Sequence, residues 1–385
     1  MKQFVIVHNI PSPYRLYLFD VLASKLRLRN VALHVHFMAR GHDDRPQDWK
    51  STLAAMAFEH SFWYDCGPSI SGTKWHLNPS LLLWLTVNRP DFLMIGGPWS
   101  SLTGIGASLF ARSRKKLCWA EGNSRSPGNV GAAAMWIKGS LLNRFDIFAV
   151  PGIEGEKLAR MVIGEARTRP SIVMLPNLVD ETRFIGAREF RLSTLAKMRD
   201  RLGVGAGERF ALWPARLLPY KGIPEALKLL DPAFLAGWKI AILGDGPLRA
   251  SVSDLIQVLG LGEFVSLHSS IGYEDMPAAY ACADLFMLPS LQDPNPLSVV
   301  EALHSGLPIL ISNRVGNFPE ALSGGLNGWA FDPEDSASAR DAFASAFTCP
   351  GEKLQEMGRA SKRIASDCWS TDRAIDSFLD AIPVE

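Results

Sequence analysis

Short apolar runs recur along this chain, each broken off by turn residues and followed by a helical pattern. Phe4 to His8, Val31 to Phe37, Phe92 to Ile95, Lys116 to Ala120, Asp146 to Val150 and Ser171 to Leu175 read as strands in the first half. Arg209 to Trp213, Lys239 to Leu243, Phe264 to Leu267, Leu285 to Leu288 and Pro308 to Ile311 read as strands in the second. Between them, Tyr14 to Lys25, Trp75 to Asn88, Ser101 to Arg112, Met135 to Asn143, Glu154 to Ile163 and Ser193 to Leu202 carry helical patterns. Strands that alternate with helices pair in parallel, so the pattern predicts an α/β fold with doubly wound sheets.

At 385 residues the chain has room for two such domains. The pattern changes around Asp180 to Phe190, which places the boundary there: 1–185, then 186–368. The closing segment, 369–385, is a helix (Thr371 to Ile382) with Ser370 as its N-cap and an apolar stripe of Ile375, Phe378, Leu379 and Ile382.

A net charge of +1 gives no basic face for nucleic acid. Only Lys25 to Arg29 and Arg112 to Lys116 are locally basic. They read as solvated helix ends or, with the Leu16/Phe19/Leu22 face, as a weak peripheral contact with an anionic membrane, where each cation contributes about 1 kcal/mol. Five scattered cysteines without a CxxC pair suit a reducing compartment and small buried thiols. Met1 runs directly into a strand, and runs such as Leu81 to Val87 are too short to span a bilayer, so a cytoplasmic protein is expected. His34 and His36 share a strand face but have no carboxylate or cysteine companion, and they read as structural. Gly41 to Lys50, with Asp43 and Asp44, reads as an exposed polar loop.

Four loops follow strands in the second half, where ligands of open α/β sheets bind. The most informative spans Leu288 to Gly306: a strand ends at Pro289-Ser290, a polar loop follows, and a helix opens near Leu297. The first N–H groups of that helix and its dipole favour an anion. Asp293 and Glu301 frame this end, which suits a phosphate ligand that also bears hydroxyls. Arg216 to Gly222 (RLLPYKG) offers two cations for a diphosphate, the arginine as a fork and Lys221 as a point charge. Gly244-Asp245-Gly246-Pro247 makes a tight loop without the third glycine of a dinucleotide fingerprint. His268 to Tyr273 follows the strand Phe264 to Leu267, and its backbone suits a base edge.

In this order, Arg216 with Lys221, GDGP, Pro289-Ser290, Asp293 to Glu301, Gly306-Leu307-Pro308, Gly316 with Pro319-Glu320, and Asn327-Gly328 resemble a retaining glycosyltransferase of the GT-B fold, family 4. Pro11 to Arg15 and the Pro176-Asn177…Asp180…Phe184 junction are also similar to that family. The resemblance implies two facing Rossmann-like domains with the site in their cleft. The first would bind acceptor and the second a nucleotide-sugar, UDP- or GDP-linked, with the final helix crossing back to the first domain. It implies that Arg216 and Lys221 bind the diphosphate and that Glu301 holds the ribose. Asp293 would lie near the sugar, with Asn295, Pro296, Leu297 and Ser298 at phosphate and sugar. Gly244, Asp245, Gly246 and His268 complete the donor set. Ser12, Pro13, Tyr14, Arg15 and Gly97 fall on the acceptor side. Asp293 and Asn295-Pro296 replace the family's usual Glu and Phe-Gly. Glu121 stands where a histidine is usual, as a sugar or acceptor contact or as a loop carboxylate paired with Arg125.

Two cations at about 4 Å from the leaving diphosphate are each worth roughly 4 kcal/mol at an effective dielectric of 20, whereas the helix end adds about 0.3–1 kcal/mol. The cations therefore dominate the expected mechanism, a metal-independent hexosyl or related transfer to a glycan, lipid-linked or small-molecule acceptor. In it the leaving phosphate oxygen takes the acceptor's proton. A nucleotide-sugar 2-epimerase and a non-catalytic nucleotide-sugar binder are the alternatives.

Overall fold

The computed structural model describes residues 1–41, 56–70, 73–124, 132–164 and 170–382. The loop expected at 41–50, apart from Gly41, and Arg125 as a partner for Glu121 lie outside the described residues. Two compact units emerge: Met1–Asn177 with Thr371–Glu385, and Leu178–Ser370.

In the first unit the strands are β1 (Lys2–His8), β2 (Val31–Phe37), β3 (Glu59–Phe62), the small antiparallel ribbon β4 (Ser69–Ile70) and β5 (Thr73–Lys74), β6 (Phe92–Gly96), β7 (Lys115–Trp119), β8 (Ile147–Val150) and β9 (Ser171–Met174). Seven of them form one sheet in the order β3-β2-β1-β6-β7-β8-β9, and every pairing in it is parallel. Phe4, Val5, Ile6 and Val7 are all buried, as expected for a strand covered on both faces. In the second unit β10 (Arg209–Pro214), β11 (Trp238–Leu243), β12 (Val265–His268), β13 (Leu285–Leu288), β14 (Ile309–Ser312) and β15 (Gly328–Phe331) form a parallel sheet in the order β12-β11-β10-β13-β14-β15. Each sheet reverses its order beside one strand: β1 lies between β2 and β6, and β10 between β11 and β13. Such switch points open a crevice at the carboxyl ends of the strands.

Several elements differ from the sequence expectation. β3, with sequence EHSF, has no apolar run to announce it and is held by backbone pairing to His34–Phe37. β15 begins on a glycine and was likewise not expected. The helix expected from Trp75 to Asn88 covers only Pro79–Val87. Pro79 fits the first turn, where its missing N–H costs nothing, and it holds the residue before it out of the helical region.

The helix Thr371–Ala381 belongs to the first unit and packs against the helix Pro13–Leu28. Ile375, Phe378, Leu379 and Ile382 are buried. Lys25 reaches Asp372 at 3.0 Å and Asp376 at 2.8 Å, and Arg29 reaches Asp380 at 2.6 Å. Each buried apolar side chain contributes about 1.5–3 kcal/mol, whereas exposed ion pairs contribute about 0–1 kcal/mol. The stripe therefore drives docking, and the charges set its register.

That arrangement corrects the proposed membrane face. Leu16, Phe19 and Leu22 are core residues, with 5%, 0% and 2% of their surface exposed. In the other basic run, Lys116 Nζ donates to the carbonyls of Ala111 (2.9 Å) and Ser108 (3.2 Å) at the end of the helix Leu102–Phe110. Among the described residues, no helix is long and apolar enough to cross a membrane. Cys118, Cys282 and Cys349 are buried as expected, but Cys66 and Cys368 are exposed.

Candidate functional site

In the second unit, the loop after β10 turns through a short 3-10 helix, Pro219–Lys221, into Gly222. Gly222 has φ 65°, in the left-handed region, and a Cβ there would lie 2.7 Å from the Pro289 carbonyl oxygen. Glycine thus lets this loop press onto the loop after β13. The two are tied again by Gln292 N–H to the Tyr220 carbonyl at 3.0 Å. The result is a buried ion pair between Lys221 Nζ and the Asp293 carboxylate. Burial pushes the Asp293 carboxyl above its ordinary range, while Lys221 and then Arg216 pull it back. Arg216 is exposed and donates to Tyr220 Oη at 2.9 Å.

The stretch that follows is braced from the other side. Asp293 bridges Val315, and its carbonyl accepts from Gly316 N–H at 2.9 Å. Asn317 Nδ2 donates to the Pro296 carbonyl at 3.1 Å. Pro296 is the N-cap of the helix Leu297–His304, and Asn295, Leu297 and Ser298 are half-buried at its mouth. One turn in, Glu301 Oε2 accepts from Tyr280 Oη at 2.7 Å. Burial raises the Glu301 carboxyl, opposed by that hydrogen bond and by Arg183. Arg183 stacks 3.8 Å above the centre of the Tyr273 ring and pairs with Glu274 at 2.9 Å.

Asp245 and His268 organise loops. The Asp245 carboxylate accepts from Ser270 N–H at 2.8 Å and from Ser270 Oγ at 2.9 Å, which lowers its pKa. His268 Nε2 lies 2.8 Å from Ser266 Oγ, and its carbonyl accepts from Gly244 N–H at 3.1 Å. A Cβ on Gly244 would fall 2.0 Å from the Ala215 carbonyl oxygen, and one on Gly246 would fall 2.5 Å from that of Leu217. Neither glycine can be replaced without separating this loop from the one that carries Arg216 and Lys221.

In the first unit, a pocket of about 310 Å³ opens at the carboxyl ends of β1, β6 and β7. Arg15 is buried at its base. It pairs with Glu121, donates to Asn177 Oδ1 at 3.0 Å and stacks 4.2 Å over the Trp119 ring. Burial lowers the Arg15 pKa to about 10, which leaves it charged at neutral pH. Glu121, Tyr14, Ser12 and Gly97 line the pocket. Ser12 also starts the helix Pro13–Leu28, its carbonyl accepting from Arg15 and Leu16 N–H at 2.9 Å, while Pro13 is buried as the first helical residue.

His8 was not singled out from the sequence. It lines the same pocket, and its Nδ1 lies 3.2 Å from the Ile10 carbonyl. A carbonyl only accepts, so Nδ1 carries the proton and Nε2 keeps a lone pair. Burial, then Arg15, lowers the His8 pKa to about 3, so the ring is neutral. Among the described residues, no three His, Cys, Asp or Glu side chains group to hold a metal.

Residues 196–364 match the family model described as glycosyl transferases group 1. A GDP-mannose-dependent alpha-(1-6)-phosphatidylinositol monomannoside mannosyltransferase of Mycolicibacterium smegmatis is 29% identical over 204 residues, 51% of this chain and 52% of that protein. The chain thus spans about half the length of that relative. Over its whole length it is similar in fold to two solved structures. Anabaena HepE, determined in complex with UDP and glucose, has a TM-score of 0.75 at 18% identity and 98% coverage of both chains. A glycosyltransferase from Rickettsia africae has a TM-score of 0.76 at 13% identity, covering 99% of this chain and 98% of that one.

Proposed function

We propose that this chain, whose residues 196–364 match the glycosyl transferases group 1 model and which has the GT-B fold of two Rossmann-like domains, transfers a sugar from a nucleotide diphosphate donor with retention of configuration and without a metal. The observation that carries this reading is the junction of Arg216, Lys221 and Asp293 beside the N-terminus of the helix Leu297–His304, at the switch point of the sheet. Arg216 and Lys221 would neutralise the leaving diphosphate, helped by the N–H groups of Leu297 and Ser298; Pro296 has none to give. The buried Asp293 would hold the Lys221 ammonium in place until the diphosphate arrives. As the anomeric carbon–phosphate oxygen bond breaks, that oxygen would take the acceptor's hydroxyl proton, and the new bond would form on the same face. Glu301 would hold the ribose.

The donor reading, a UDP- or GDP-sugar, is supported by the UDP and glucose complex of HepE and by the GDP-mannose named for the mycobacterial relative. The acceptor reading, a glycan or lipid-linked sugar, is supported by the lipid named for that relative and by the pocket bearing Arg15, Glu121 and neutral His8. A peripheral membrane contact would rest on exposed Arg112 and Arg114.

A thermal-shift panel of UDP-, GDP-, ADP- and TDP-sugars identifies the donor. Lys221→Ala should then cut kcat/KM by about 10³-fold, the equivalent of roughly 4 kcal/mol at an effective dielectric of 20. Near-normal turnover in that variant refutes the leaving-group role. Nucleotide released without any acceptor, alongside an epimerised sugar, selects the epimerase instead.

A further inference from the structure

We propose that the second unit carries a separate anion site, which takes a phosphate monoester in a cavity of about 480 Å³ at the amino ends of β10, β13 and β14. Arg209 opens β10, Asp284 immediately precedes β13, and Pro308 immediately precedes β14; all three line the cavity. The loops bearing Arg216, Lys221 and Asp293 leave from the opposite ends of the same sheet. The six residues of β10, at about 3.3 Å each, put about 20 Å between the two places.

The wall facing Arg209 is the helix Gly351–Cys368, which turns Gln355, Arg359 and Lys362 toward the cavity. Their spacing places them on one helical stripe. Gln355 and Arg359 are exposed and Lys362 is half-buried, beside the face of the helix on which Leu354, Met357, Gly358 and Ser361 are buried. The residues lining the cavity bring three cations against one carboxylate, Asp284, which already accepts from Phe210 N–H at 2.8 Å. Cys282 adds no negative charge, since burial pushes its thiol up to about 11.

Two of the three cations are also pre-positioned. Arg209 Nη1 donates to the Cys349 carbonyl at 2.8 Å, and its guanidinium lies 5.6 Å over the Trp238 ring. The Lys362 methylenes rest on Gly306, where a Cβ would be 2.6 Å from Cε, and a Cβ on Gly358 would be 2.2 Å from the Gly306 carbonyl oxygen. Backbone thus meets backbone at this wall, and Lys362 is laid along it. Guanidinium forks match phosphate oxygens, and a lysine adds a point charge. A phosphate alone fills little of the cavity, so the ligand carries its phosphate on a larger body, a small polyol phosphate or a lipid headgroup.

Glycerol 3-phosphate is titrated calorimetrically into wild type, Lys221→Ala and the double variant Arg359→Ala/Lys362→Ala. Vesicles of phosphatidylcholine with and without phosphatidic acid are tested by flotation on the same three proteins. Wild type and Lys221→Ala should bind alike, and the double variant at least tenfold more weakly, with transferase activity and melting temperature retained. Loss confined to the vesicle arm identifies a lipid headgroup; loss in calorimetry identifies a soluble phosphate ester. Absence of wild-type binding to both probes overturns the proposal. So does binding that survives the double variant but is lost in Lys221→Ala, which would put the anion at the donor loops. If the alanine pair melts early, Arg359→Gln/Lys362→Gln replaces it under the same criteria.

Discussion

Tyr280→Phe removes one oxygen atom and tests what positions Glu301. The ring is fully buried, 5.5 Å from Phe184 edge-on and 6.1 Å from Phe286. Phenylalanine keeps both contacts. What is lost is the 2.7 Å hydrogen bond to Glu301 and the 3.2 Å approach to the Ser298 carbonyl. A hydrogen bond to a charged acceptor is worth about 1.5–3 kcal/mol, a factor of about 10 to 150 in binding. The consequence is pH-dependent. Burial already raises the Glu301 carboxyl, and the Tyr280 hydroxyl opposes that rise, so its removal moves the carboxyl further alkaline. On the proposed ribose role, a protonated Glu301 is a weaker acceptor for the ribose hydroxyls than the carboxylate, so donor KM should rise about 10- to 150-fold, more at pH 6 than at pH 8.5. Turnover at saturating donor should change little, because the interaction is made equally in ground and transition states. The assay is donor KM and kcat from pH 5.5 to 9, with the melting temperature alongside. Unchanged KM at every pH, or a loss confined to kcat, refutes the positioning of Glu301 by Tyr280.

Phe378→Ala should cost about 3–5 kcal/mol in urea unfolding followed by first-unit tryptophan fluorescence, whereas Lys25→Ala should cost no more than about 1 kcal/mol; equal losses would contradict the division between apolar docking and charge register. Gly222→Ala places a Cβ at a left-handed position and against the Pro289 carbonyl, so it should cost about 1–3 kcal/mol and depress kcat/KM with it; wild-type activity would show that the loops do not depend on that approach. His8 and His36 both have pKa values lowered to about 3 from 6.5, chiefly by burial. The unfolded chain therefore binds more protons below pH 6.5, and stability should fall on acidification by up to about 1.4 kcal/mol per pH unit for each ring. Asp293 and Glu301, whose pKa values are raised, act oppositely: their contribution is full below their ordinary values and is lost as pH rises through the raised ones. His8→Gln should flatten the acid limb of the stability curve; an unchanged slope refutes burial of a neutral His8.

What the sequence displayed was local. Apolar runs closed by Pro289-Ser290 or Gly96-Gly97, and a lysine beside a glycine in RLLPYKG, are properties of a few neighbouring residues, and the strands and the loops that carry the site follow from them. β3 escaped notice because its four residues are held by backbone pairing to β2 and by no apolar pattern of their own.

Side-chain partners were hidden in proportion to their separation. Lys221 and Asp293 are 72 positions apart, Tyr280 and Glu301 are 21 apart, and Lys25 and Asp376 are 351 apart. A basic run such as Lys25 to Arg29 shows its charge at once, but the aspartates that consume it lie at the far end of the chain, so a solvated or membrane-facing reading was the natural one. His8 is the sharper case. At the end of a strand it looks like any polar terminator; its neutrality comes from the burial made by Phe19 and Trp119, 5.7 and 5.6 Å away, and from the charge of Arg15. Those three residues come from one helix and another strand, so the protonation state of a pocket-lining group is set by tertiary packing even where its position is set by the local chain. The first-unit pocket, proposed for the acceptor, depends on such states and is for that reason the half least readable from sequence. The second-unit loops proposed for the donor, built from backbone turns and fixed charges, are the half most readable.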